Sequence, residues 1–265
     1  MWSRPPRKLS LNEGDLHVWR MSLVPIPDLA RLAGEVLSEK EKERCARFVR
    51  DEDRARCAAA RAALRVVLSG YVSQPPGSLP IVVGKFGKPY LGALVTSSAA
   101  GVHDIQFNLA HAGDFLLIAV SRGARVGIDI ERIRNVRGME SIVEDFFDEQ
   151  ERASVRSCKG RARSRMFFRL WTRRESAAKA MGLDLVDAFA RCDLPAFDEN
   201  RSGFRLVLPQ IGSATGAGAG APAGVPAGHS TTWWIRDFTP APGYAGALCV
   251  EQANAEPSFF DLRFT

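Results

Sequence analysis

Gly127-Ile128-Asp129-Ile130-Glu131 alternates branched aliphatic residues with small or acidic ones, the pattern of a strand that presents one face to a core. Ile128 and Ile130 then point inward together, and Asp129 and Glu131 share the opposite face. Two acids at this spacing, taken alone, are most often a solvated strand face. About forty residues on lies Trp171-Thr172-Arg173-Arg174-Glu175-Ser176-Ala177-Ala178-Lys179, which reads as helix and sets Glu175 and Lys179 one turn apart in the favourable acid-before-base order. That pair alone is worth only about 0.3 to 0.5 kcal/mol as a surface ion pair. Together the two stretches offer three carboxylates and a lysine to one site. Magnesium takes few carboxylates, several waters and phosphate oxygens, so this set suits it. Calcium would want a fuller oxygen cage, and zinc would want Cys or His ligands.

Outward from these stretches the chain alternates strands and helices. Leu16 to Leu23 reads as a strand around Trp19, followed by a proline-containing connection. Ser38 and Glu41 form a capping box opening a helix through Cys45 and Phe48, and a second helix runs from about Asp53 to Leu68, ended by Gly70 and Pro75-Pro76-Gly77. Gln106 to Leu109, Phe115 to Val120 and Val126 to Glu131 read as strands, the last two as a hairpin. Helix returns after Asn135. Asp148 and Glu151 make another cap, and a long helix from about Ser164 stops at Gly182. Phe204 to Leu208, Thr231 to Phe238 and Ala245 to Glu251 read as strands. The fold class implied is α+β, with two similarly built subdomains at 15–124 and 125–265. Residues 1–14 read as a disordered tail, and Ser213 to Ser230, nearly all Gly, Ala, Pro, Ser and Thr, reads as a flexible loop.

Composition narrows the partners. The chain has 265 residues, 46% hydrophobic and 25% charged, and no apolar run long enough to span a bilayer, so no membrane partner is expected. Five cysteines are scattered without CxxC spacing, which fits a reducing cytoplasm. The net charge of +6 favours an acidic partner. Seven lysines stand against twenty-nine arginines, so each lysine invites a specific question. A nucleic-acid binding protein could carry such an arginine excess, but basic residues interleaved with aromatics, or a base-reading motif, are not found.

The combination G-I-D-I-E followed by W-x-x-(basic)-E-S-x-x-K is similar to the signature of the phosphopantetheinyl transferases, in their larger single-chain form typified by surfactin synthetase activators. Gly87-Lys88-Pro89-Tyr90-Leu91 resembles the family's GKP motif. Phe107-Asn108-Leu109-Ala110-His111-Ala112-Gly113 resembles its F-N-x-S-H-S motif, and Arg44 to Phe48 with Asp53 and Arg56 resembles its N-terminal helical region. The likeness runs from about Leu16 to about Val250.

The resemblance implies a pseudo-twofold α+β fold with coenzyme A in the cleft between the halves. It implies that Asp129, Glu131 and Glu175 hold magnesium, that Glu175 takes the proton from an incoming serine, and that Lys179 contacts the diphosphate and assists departure of adenosine bisphosphate. Lys88 and His111 match diphosphate or nucleotide contacts. Arg44 and Arg56 match residues that receive the nucleotide's additional phosphate. The partner implied is an acyl, peptidyl or polyketide carrier protein, met by a cytoplasmic monomer; a degenerate member that only binds coenzyme A or carrier is the alternative. Four positions depart from the family pattern: Ala110 and Ala112 replace serines, Arg174 replaces a lysine, and Glu41 stands where relatives carry a basic residue. Trp171, Phe167 and Phe168 read as core, and the arginines from Arg152 to Arg174 as a solvated helix face or a docking surface for an acidic carrier helix.

Overall fold

The computed structural model describes residues 2–24, 27–84, 87–92, 104–183, 203–209, 230–251 and 256–263. Its elements are β1 (Leu16–Ser22), α1 (Pro27–Val36), α2 (Glu39–Ala46), α3 (Asp51–Val72), β2 (Ile81–Val83), β3 (Pro89–Leu91), β4 (Ile105–Ala112), β5 (Phe115–Arg122), β6 (Val126–Arg132), α4 (Met139–Phe146), α5 (Glu149–Ser157), α6 (Gly160–Met181), β7 (Gly203–Pro209), β8 (Ser230–Phe238), β9 (Tyr244–Glu251) and β10 (Ser258–Asp261).

Two sheets carry the architecture, ordered β10-β1-β5-β4 and β6-β9-β8-β7, with β2 and β3 as a separate small ribbon. The halves repeat one plan. A first strand (β1 or β6) leads to a 22-residue helix (α3 or α6), and later strands return so that β5 lies antiparallel beside β1 and β9 antiparallel beside β6. This is the two-subdomain α+β arrangement expected from the sequence.

Apolar side chains place the layers. Trp19, Met21, Phe107 and Ile118 of the first sheet pack with Ala63, Leu64 and Leu68 of α3. Its opposite face, with Val18, Leu117 and Ala119, joins Val126, Ile128, Ile130, Leu248 and Val250 of the second sheet in one cluster. Beyond the second sheet, Ile235 and Cys249 meet Ala177 and Ala180 of α6. The strand of Asp129 is thus caught between the other sheet and a helix, and its acids emerge on the helix side.

The expected caps form: Ser38 and Glu41 at α2, and Asp148 and Glu151 at α5, are both reciprocal capping boxes. Gly182 ends α6 in the left-handed region at φ 69°.

Other expectations are corrected. β5 and β6 are not a hairpin: β5 pairs with β4 and β1, whereas β6 pairs with β9 in the second sheet. Both edges of β5 are already taken, by β1 and β4, so β6 has no place beside it. α3 does not stop at Gly70 but continues to Val72, because Tyr71 is anchored: Trp19 Nε1 donates to its hydroxyl at 2.9 Å, and His17 Nδ1 lies 2.8 Å from it. The first fourteen residues are not free of the fold over the described part. Trp2 packs edge-on to Phe259, Ser3 N donates to Phe259 O at 3.0 Å, and Leu9 lies where a Cβ on Gly70 would stand. β10, unread in the sequence, runs parallel to β1, so the chain's last strand belongs to the first sheet. Of the expected loop at 213–230, residues 213–229 lie outside the described residues, and Ser230 is already the first residue of β8.

Candidate active site

Gly127 sets the approach of β6 to α6. A Cβ there would lie 2.1 Å from the Ser176 carbonyl oxygen and 2.3 Å from the Ala180 nitrogen, so only glycine lets helix and strand touch backbone to backbone. On the other edge of β6, Asn108 Oδ1 of β4 accepts from the Ile128 amide at 3.0 Å. Strand, helix and first sheet are thereby fixed together, two residues from the first acid.

Asp129 is 4% exposed. Lys179 Nζ lies 2.6 Å from its Oδ1 and 3.4 Å from Glu175 Oε2. Burial pushes the Asp129 carboxyl up to about 7, against the pull of Lys179 and with the help of the Glu175 charge. Glu131 is also pushed up, by burial and then by Glu175, with Arg134 and Lys179 opposing. Burial works against the Lys179 charge, yet Asp129 and Glu175 outweigh it and hold the ammonium above its ordinary range. Asp129 and Glu175 therefore share one lysine, and Glu131 feels the charge of both Glu175 and Lys179.

Among the described residues no group of three or more His, Cys, Asp or Glu side chains is placed to hold a metal ion. The donor chemistry nonetheless fits a hard cation. Asp129 Oδ2 is buried with no hydrogen-bond partner, and burial, with Glu175 adding to it, penalises the charged forms of Asp129 and Glu131, a penalty that a bound positive ion relieves.

His111, at the end of β4, is open to solvent yet crowded by protein, and burial followed by the charges of Lys179, Arg56 and Arg61 pushes it down. It therefore stands between the acid site and the basic face of α3. Arg56 pairs loosely with Glu52 at 3.7 Å and Asp53 at 3.6 Å. Arg44 is exposed, with no ion-pair partner among the described residues. Arg61 was missed by sequence reasoning. Burial, then the like charge of Arg44, press it below the ordinary range, with Glu41 opposing and Arg65 adding a smaller push. Its position in an alanine-rich helical run hid it.

Lys88 is placed differently from its expected role. Its ammonium donates to the Lys179 carbonyl at 2.7 Å and the Val126 carbonyl at 3.2 Å, both backbone groups behind the acids.

The four departures have physical partners. Glu41 accepts from the capping residue Ser38 and pairs with Arg65 at 2.8 Å. Ala110 and Ala112 face the apolar contact between the sheets, with His111 on the opposite side of β4. Arg174, 3% exposed, turns away from the acids and forks onto Glu151 at 2.5 Å, also reaching Asp148 at 3.3 Å. A planar guanidinium suits that fork better than an ammonium. The arginine run is thus not a uniformly solvated face: Arg174 is buried on α5, and Arg173 is buried on Asp237. Trp171 and Phe167 stack at 5.9 Å, and Phe167 and Phe168 are buried, as expected of core residues. One further pairing was unforeseen, a disulfide between Cys45 and Cys57, each adjacent in sequence to a candidate phosphate-binding arginine. Those two cysteines therefore give no support to a reducing compartment.

Known proteins resemble this chain over both of its halves. Residues 125–221 match the 4'-phosphopantetheinyl transferase superfamily, and residues 23–123 match the 4'-phosphopantetheinyl transferase N-terminal family. The two matches adjoin at Ala124, between β5 and β6. The chain is 35% identical over 182 residues to the 4'-phosphopantetheinyl transferase HetI of Nostoc sp., covering 68% of this chain and 74% of that protein. It is 30% identical to the 4'-phosphopantetheinyl transferase gsp of Aneurinibacillus migulanus, over 64% of this chain and 62% of that one. It is 29% identical to a 4'-phosphopantetheinyl transferase of Bacillus subtilis, over 60% and 67%. The chain belongs to the 4'-phosphopantetheinyl transferase superfamily, a class of enzymes that transfer phosphopantetheine to carrier proteins. No helix among the described residues is long and apolar enough to cross a membrane.

Proposed function

We propose that this chain, acting as a cytoplasmic monomer, transfers phosphopantetheine from coenzyme A to a serine of an acyl, peptidyl or polyketide carrier protein, releasing adenosine bisphosphate. The observation that carries the reading is the buried Asp129 tied through Lys179 to the half-buried Glu175, with the half-buried Glu131 on the same strand face and a basic face next to them. Asp129, Glu131 and Glu175 would hold a magnesium ion, which when bound neutralises charge on the diphosphate.

The protein's own groups then have separable work. Arg44, Arg56 and Arg61 receive the nucleotide's additional phosphate, and His111, kept neutral by its surroundings, hydrogen-bonds between that end and the diphosphate. Glu175 is less enclosed than Asp129 and is free to turn toward an incoming hydroxyl. It takes the serine proton as the oxygen attacks the β-phosphorus of coenzyme A. Lys179 balances charge on the departing phosphate. Catalysis of this kind rests on positioning and on charge placed ahead of the reaction.

The test is incubation with coenzyme A, magnesium and a panel of apo carriers, followed by intact mass measurement. At least one carrier should gain one phosphopantetheine. No gain on any carrier, with coenzyme A binding retained, would favour the binding-only alternative.

A further inference from the structure

Lys88 does work that a substrate contact would not require. It follows Gly87 and immediately precedes β3 of the small ribbon outside both main sheets, and its side chain crosses to the second half of the molecule. There it donates to two carbonyls belonging to different elements. The Val126 carbonyl opens β6, three residues before Asp129. The Lys179 carbonyl lies in the last turn of α6, where helix carbonyls lack an intrahelical partner and the dipole end is negative. The neighbouring Ala178 carbonyl is already taken by the Gly182 and Leu183 amides, so Lys88 completes a cap that the chain itself leaves open.

We propose that Lys88 is a positioning residue that clamps the end of α6 to the start of β6 and so sets the spacing of Lys179 and Glu175 from Asp129. Gly127 brings helix and strand into backbone contact at Ser176 and Ala180, and Lys88 fixes the same pair of elements at the adjoining end of that contact. Without the clamp the helix end can fray, and Lys179 sits three residues from that end. The ammonium is committed to backbone carbonyls and does not itself touch the reacting phosphate. This rests on the transferase reading above.

The experiment compares wild type, Lys88→Met and Lys88→Arg for coenzyme A dissociation constant, kcat at saturating coenzyme A, and melting temperature. Transfer by the wild type establishes the underlying reading independently of the variants. K88M is expected to lose at least tenfold in kcat while binding coenzyme A within threefold of wild type. K88R, which can still donate to two carbonyls, is expected to recover at least a third of wild-type kcat. The proposal is overturned if K88M keeps kcat within twofold, if coenzyme A binding weakens as much as kcat falls, or if K88R gives no recovery. It is equally overturned if K88M melts lower and regains wild-type kcat when assayed cold, since Lys88 would then serve the fold alone.

Discussion

Lys179 reaches Asp129 from one turn beyond Glu175, so a single ammonium, 2.6 Å from Asp129 Oδ1, ties the buried strand acid to the helix acid. Removing either acid should therefore disturb charge before it disturbs packing. Glu175→Gln keeps the size of the side chain and loses the base. It is expected to lower the transfer rate by about 100- to 10,000-fold, the usual worth of a positioned acid–base group, with little change in circular dichroism. A rate within tenfold of wild type would remove Glu175 from the proton transfer.

Gly127→Ala tests the backbone contact. Because the added methyl would meet the Ser176 and Ala180 backbones and no flexible side chain, the helix or the strand must shift. A loss of about 1–3 kcal/mol or more in urea unfolding is expected, with transfer falling alongside. Unchanged stability would mean that the two elements are not in contact.

Arg174→Ala tests the anchor behind Glu175. It leaves Glu151, 3% exposed, without its guanidinium, and breaking a buried pair from one side costs about 3–5 kcal/mol. Arg174→Lys should cost less and still lose the two-pronged contact. Equal melting of the three proteins would contradict the pairing.

The pH dependence of stability tests Lys88. Burial, then the Arg125 charge, press its folded pKa down to about 8, with Cys249 pulling the other way. The unfolded value is about 10.4. Between those values the folded chain holds fewer protons than the unfolded chain, so this group makes stability rise with pH across that window. Below pH 8 both states are protonated and the contribution is level. In K88M the rise attributable to this group should vanish; an identical slope in both proteins would refute the burial of the ammonium.

The acids of the site were legible because their signals are local. A strand alternates with period two, a helix returns every fourth residue, and each stretch announced its own element. The basic residues were only partly legible. Arg44 and Arg56 lie in recognisable motif, whereas Arg61 gains its meaning only when α2 folds back on α3 and brings like charges together. Lys88 was read as a substrate contact, and the two backbone carbonyls it meets had no mark in the sequence, which does not show which way an ammonium turns. The β5–β6 hairpin failed for a similar reason: a short turn predicts adjacency along the chain, and only the pairing of both edges of β5 with β1 and β4 decides that β6 joins the other sheet. The repeat of strand, helix and paired strands was expected in outline, but its last strand crosses back to the first sheet, a non-local pairing with no local mark.

The most direct measurement is intact mass of an apo carrier after incubation with coenzyme A and magnesium, run side by side with wild type and E175Q, and repeated with a chelator. The account predicts one phosphopantetheine added by the wild type, and almost none by E175Q or after chelation, under conditions where all the proteins remain folded. Equal modification by wild type and E175Q, or full modification with every divalent ion removed, would contradict it.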